Sequence, residues 1–118
     1  MAATTILVVE DETALRDFVL ELLASRGFEV LSAADGFEAI RILAERPVDL
    51  MFTDIVMPGI SGFQLAQQAK LMRPALKVLY TTGYAQEEAR QTVRHGRLVR
   101  KPLRATEILS EIQDALVN

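Results

Sequence analysis

The chain has no cysteine, no tryptophan and a single histidine, His95. Without thiols there is no disulfide framework, no thiolate metal site and no cysteine nucleophile. One imidazole argues against a multi-histidine zinc site and against a conventional catalytic triad. Long apolar runs are missing too. The longest are a few residues, against the ~20 that a membrane-crossing helix needs. The N-terminus has no basic start leading into an apolar stretch, so nothing reads as a secretory signal. Repeats, low-complexity stretches and linkers are also absent. These absences lead to the expectation of one cytoplasmic domain over residues 1–118, with no membrane contact and no output domain.

What is present is the composition of an ordinary globular domain. The 118 residues are 50% hydrophobic and 25% charged, enough for one core and too few for two. The net charge of −3 conceals an uneven split. Residues 1–59 carry four basic and eleven acidic side chains; residues 60–118 carry nine basic and five acidic.

Strand and helix patterns alternate from end to end. Ile6–Val9 is a short apolar run of the kind buried on both faces of a parallel sheet. Leu15, Phe18, Val19, Leu22 and Leu23 then form one helical stripe, stopped by Gly27. Phe28–Ala33 alternates like an edge strand. Asp35 and Glu38 offer a capping pair before a helix striped by Phe37, Ile40, Leu43 and Ala44, which Pro47 ends. Val48–Asp54 reads as the third strand. Ser61 and Gln64 cap a helix striped by Leu65, Ala66, Ala69 and Met72, and Pro74 follows it. Lys77–Thr82 is the fourth strand and Leu98–Arg100 a short fifth. Between them, residues 86–95 are weakly helical, with few apolar anchors. Ile108, Leu109, Ile112 and Leu116 stripe the last helix. Five strand–helix units in a row predict an α/β protein with a doubly wound parallel sheet, because right-handed crossovers place helices on both faces.

In such sheets ligands bind at the carboxyl ends of the strands. There the chain places Glu10, Asp11 and Glu12, then Asp54, then Thr81, Thr82 and Gly83, then Lys101 and Pro102. Crowded carboxylates repel one another unless a cation joins them. Hard oxygen ligands suit Mg²⁺. A lysine and a threonine beside them suit the outer oxygens of a phosphoryl group. Asp54 fits either a nucleophile or a metal ligand.

The runs Ile6-Leu7-Val8-Val9-Glu10-Asp11-Glu12, Thr53-Asp54-Ile55-Val56-Met57-Pro58-Gly59, Thr82-Gly83 and Lys101-Pro102 together resemble the receiver domain of two-component response regulators. The resemblance covers essentially the whole chain. It implies a flavodoxin-like (βα)5 fold with strand order 2-1-3-4-5. It implies that Asp54 accepts a phosphoryl group from a phosphohistidine on a sensor histidine kinase or a histidine-phosphotransfer protein. It further implies Mg²⁺ held by Asp11, by Glu10 through water, by Asp54 and by the backbone carbonyl of Val56. Thr82 and Lys101 then meet the phosphoryl oxygens, and the Lys101–Pro102 bond is cis. By the same likeness the protein is a switch rather than an enzyme on an external substrate. It catalyses only its own Mg²⁺-dependent phosphotransfer and dephosphorylation. Phosphorylation shifts the face made by the fourth helix, the fifth strand and the last helix toward a downstream protein target, in a monomer or weak dimer.

Two departures stand out. Many receivers carry an aromatic residue three positions before the lysine, where this chain has Leu98. The run Tyr80-Thr81-Thr82-Gly83-Tyr84 resembles a subclass with a Phe-Ala-Thr-Gly-x-Tyr signature, found in stand-alone receivers and at the ends of hybrid kinases, but modified here to carry the tyrosine directly after the glycine. Val56 and Tyr84, each two residues beyond a site residue, cannot orient an attacking water well, which implies slow self-dephosphorylation.

Other phosphate-handling readings fit less well. No P-loop or dinucleotide fingerprint exists, and acids stand where a flavodoxin would cradle phosphate. An Asp-x-Asp phosphatase fits less well because Val56 fills the second acidic position, and a small enzyme with an external substrate is the second reading. The basic set Arg90, Arg94, Arg97, Arg100, Lys101 and Arg104 has no recognition helix or stacking aromatics near it, and the overall pI is about 5.1, so direct nucleic-acid binding is not expected. A degenerate receiver would lack Asp54 or Lys101, and both are present.

Overall fold

A computed structural model of the chain describes residues 3–83 and 97–117. Within them the order is β1 (Thr5–Val9), α1 (Thr13–Ser25), β2 (Glu29–Ala33), α2 (Gly36–Glu45), β3 (Leu50–Asp54), α3 (Gly62–Met72), β4 (Lys77–Thr82), β5 (Arg97–Arg100) and α4 (Ala105–Val117). The five strands form one parallel sheet in the order β2-β1-β3-β4-β5. This is the expected flavodoxin-like topology. The weak helix expected over 86–95, along with Tyr84, Arg90, Arg94 and His95, lies outside the described residues.

The two-residue period of the strands divides the core in two. Leu7, Val9, Met51, Val78 and Tyr80 face α2 and α3, meeting Ala39, Leu43, Leu65, Ala66 and Ala69. Ile6, Val8, Leu50, Phe52, Leu79 and Val99 face α1 and α4, meeting Val19, Leu23, Ile108, Ile112 and Ala115. The central strands are therefore apolar without alternation because both their faces are covered. β2, at the edge, is only partly buried.

Both expected caps form. Asp35 accepts the Glu38 N–H at 2.8 Å, while the Glu38 carboxylate reaches back to the Ala34 N–H at 3.2 Å rather than to Asp35 itself. Ser61 and Gln64 make a complete reciprocal box at the start of α3. Gly27 closes α1 with a positive φ of 88°, which costs a glycine little.

Four stripe positions are corrected. Phe18, Phe37, Ala44 and Met72 face solvent. In α2 the buried residues are Gly36, Ala39 and Leu43, so the helix is rolled by about one residue from its most apolar face. Close packing at Gly36 dictates this roll, since a Cβ there would overlap the Ile60 side chain. In α1 the face that includes Phe18 gives way to Val19 and Leu23, with Leu20 and Leu22 at its margin.

Arg73 ties the second and third helices together. Its guanidinium donates to the Leu43 carbonyl at 3.0 and 2.8 Å and to the Arg46 carbonyl at 2.7 Å. It thereby satisfies carbonyls that the last turn of α2 leaves open.

Candidate functional site

The parallel register brings four strand ends to one edge. Val9 pairs with Thr53 and Asp54 with Thr81 across β1, β3 and β4, while Thr82 pairs with Arg100. The residues that follow β1 and β5 therefore meet Asp54 at the end of β3. This convergence joins Glu10, Asp11, Asp54 and Lys101.

Lys101 Nζ donates to Asp54 Oδ2 at 2.7 Å and lies 3.0 Å from Glu10 Oε1. Glu10 Oε2 accepts the Glu12 N–H at 3.1 Å, and Asp54 Oδ1 faces the Val56 N–H at 3.3 Å. Glu10 and Asp54 are buried, whereas Asp11 is exposed. One oxygen from each of the three carboxylates lies within 4.8 Å of the other two.

The electrostatics follow from this crowding. Burial pushes the Glu10 carboxyl above its ordinary value, against the hydrogen bonds from Glu12 and Lys101. Burial also works against the Lys101 ammonium, but its bonds to Asp54 and Glu10 prevail and hold it above the usual lysine value. Three carboxylates against one ammonium leave the site short of positive charge. An all-oxygen donor set of this kind can hold a hard divalent cation. The Val56 carbonyl accepts no hydrogen bond among the described residues, so it too is available as a ligand.

Thr82 is buried at the end of β4, and its carbonyl accepts the Lys101 N–H at 2.9 Å. The Lys101–Pro102 bond is cis. Val56 exposes 55% of its surface beside Asp54 in the chain. Leu98, partly buried, pairs with Tyr80 on the neighbouring strand and packs on the α2–α3 side of the sheet. Tyr84 falls outside the described residues. Gly83 does not need to be glycine on steric grounds, because a Cβ there would meet Lys101 Cδ at an ordinary 3.7 Å.

Two contributors escaped the sequence reading. Arg16 Nη1 donates to the Glu10 carbonyl at 2.7 Å; on a helix's polar face, no local pattern singles it out. Gly62 opens α3 directly against the Asp54 carbonyl. A glycine just after a capping serine was the signal that could have revealed it.

The sequence model of the response regulator receiver domain matches residues 6–113. The chain belongs to that family. The receiver is 32% identical to the response regulator receiver protein CpdR of Brucella abortus, over 95% of the chain and 96% of CpdR. It is 38% identical to the sensor kinase CckA of the same organism, over 72% of the chain but only 9% of that kinase. The structure of Vibrio cholerae chemotaxis protein CheY4 superposes with a TM-score of 0.91 at 27% identity, covering 98% of the receiver and 100% of CheY4. The receiver is a phosphorylation-dependent switch of two-component signalling. Among its described residues no helix is long and apolar enough to cross a membrane.

Proposed function

We propose that Asp54 is the phosphoacceptor of this switch and that the cation beside it is Mg²⁺, held by Asp11, Glu10, Asp54 and the Val56 carbonyl. The carrying observation is the shared ammonium. Lys101 bridges Asp54 and Glu10 at 2.7 and 3.0 Å, with Asp11 close by and unpaired among the described residues. In the transfer an Asp54 carboxylate oxygen forms a bond to phosphorus, the phosphorus–nitrogen bond of the donor histidine breaks, and the imidazole leaves with the electron pair. Mg²⁺, when bound, neutralises charge on the phosphoryl oxygens. Lys101 releases Asp54 and pairs with a transferred oxygen, and the Thr82 hydroxyl turns to another.

The donor is a sensor histidine kinase or a histidine-phosphotransfer protein, and the output is contact with a protein target through the β5–α4 side. The likeness to CckA and CpdR supports this pairing. Residues 1–118 act as one cytoplasmic receiver domain of the Phe-Ala-Thr-Gly-x-Tyr type, with Thr82, Tyr84 and Leu98 modulating the switch. Its only catalysis is its own Mg²⁺-dependent phosphorylation and dephosphorylation. Acetyl phosphate with Mg²⁺ is expected to add one phosphoryl group, seen by intact mass. Asp54→Asn should abolish the addition; an undiminished adduct in that variant would assign the acceptor elsewhere.

A further inference from the structure

We infer that Arg16 is a positioning residue for the cation site, acting on Asp11 through the main chain. This rests on the reading of Glu10 and Asp11 as cation ligands. The β1–α1 turn is poorly anchored by ordinary means. Glu12, at the N-cap of α1, makes no side-chain cap bond, and the first turn of that helix carries no acid. Helices α2 and α3 both start from a side-chain cap on Asp35 or Ser61, so α1 is the exception among the three.

Arg16 supplies what the cap does not. Its own N–H donates to the Glu12 carbonyl at 2.9 Å, which places it one turn into α1. From there Nη1 reaches back six residues to the Glu10 carbonyl at 2.7 Å. Two neighbouring N–H groups are engaged elsewhere, the Glu10 N–H with the Ala33 carbonyl at 3.1 Å and the Glu12 N–H with the Glu10 carboxylate. The Arg16 bond therefore fixes the plane of the Glu10–Asp11 peptide.

That plane matters because no side-chain contact among the described residues aims Asp11. Its carboxylate is exposed and makes no hydrogen bond or ion pair among the described residues. The backbone sets where its Cα–Cβ bond starts and points, and the side-chain rotamers do the rest. Glu10 and Asp54, in contrast, are held by Lys101. A cation that gathers all three carboxylates needs the unrestrained one to be presented by its peptide, and Arg16 holds that peptide.

The charge of Arg16 pulls the other way. A guanidinium near an acidic cluster disfavours a second cation, so by charge alone its removal tightens Mg²⁺ binding. Positioning and charge thus predict opposite signs. The experiment titrates the full chain with Mg²⁺ alone and follows backbone amide shifts of the folded protein by NMR. Arg16→Met is expected to weaken Mg²⁺ binding by about 10-fold, as loss of groups that orient metal ligands does. Arg16→Lys, which keeps the charge and a donor group, should lose less than Arg16→Met. Because the shifts report on folded molecules only, a purely stabilising role would leave the dissociation constant unmoved. Unchanged or tighter binding in Arg16→Met overturns the inference. Should that variant fail to fold, the same titration of Arg16→Leu, which likewise has no donor, decides by the same criterion. A wild-type chain without any Mg²⁺-induced shift overturns the cation reading itself, and this inference with it.

Discussion

Gly62 is seated against the main-chain carbonyl of Asp54, with no room for a Cβ between them. Its N–H donates to the Ile55 carbonyl at 2.8 Å, so the first residue of α3 is clamped to the end of β3. Gly62→Ala pushes a methyl group against the Asp54 and Ile55 main chain, a strain that no rotamer change relieves. The expected cost is about 1–3 kcal/mol by urea unfolding, together with slower phosphorylation by acetyl phosphate as Asp54 shifts. A stability change within about 0.5 kcal/mol, the range of inert surface substitutions, would show that the chain absorbs the methyl group elsewhere.

Lys101 offsets part of the negative charge of Glu10 and Asp54. Lys101→Met leaves these carboxylates facing each other, and the metal-free protein is expected to lose about 2 kcal/mol, the scale of a hydrogen bond to a charged group. Mg²⁺ should then bind more tightly than in wild type, because it no longer competes with an ammonium. Calorimetric titration checks the sign, and weaker Mg²⁺ binding would contradict it. Loss of Lys101 and loss of Arg16 are thus expected to move Mg²⁺ affinity in opposite directions.

Val56 is an exposed apolar side chain two residues past the proposed acceptor, and Tyr84 stands two residues past Thr82 in the sequence. The Val56 side chain has no polar atom with which to hold a water beside Asp54. The paired change Val56→Asn and Tyr84→Glu is expected to shorten the phosphoryl half-life by about tenfold, through orientation of that water. Decay of the phosphorylated mass peak measures it, and an unaltered half-life would remove these two side chains from control of hydrolysis.

Tyr80 is buried at 8% exposure, with its ring 5.2 Å from that of Phe63. Burial raises its hydroxyl above the ordinary value of 10.0, so the folded state favours the neutral phenol. The associated stability is fully present below pH 10 and is lost as pH rises through the folded value. Stability measured against pH should fall more steeply above pH 10 in wild type than in Tyr80→Phe. Parallel curves for the two proteins would refute the assignment.

Much of the architecture was legible in local patterns. The Asp35 and Ser61 caps formed where the side chains called for them, because a cap needs only residues three apart. Lys77–Thr82 is a strand with the bounds its composition suggests. The helix stripes were less legible. Phe37 is more apolar than Ala39, yet Ala39 is buried and Phe37 lies 59% exposed. Periodicity shows that a helix has an apolar side, but its final roll depends on how closely a neighbour can approach. At α2 that is decided by the missing side chain of Gly36 under Ile60.

The sequence alone determined the alternation of strands and helices, the starts of α2 and α3, and the kinds of group available at the strand ends: carboxylates, hydroxyls and one lysine. These depend on interactions spanning a few residues, which a linear pattern records. Tertiary structure decided that one ammonium serves both Glu10 and Asp54, that Arg16 holds the Glu10 carbonyl, and that Arg73 closes α2 from a neighbouring helix. The Lys101–Asp54 contact spans 47 positions of chain. It exists because the sheet order and register bring β1, β3 and β5 to a common edge, and distances of that kind are written in the packing of the sheet rather than in any local run of residues.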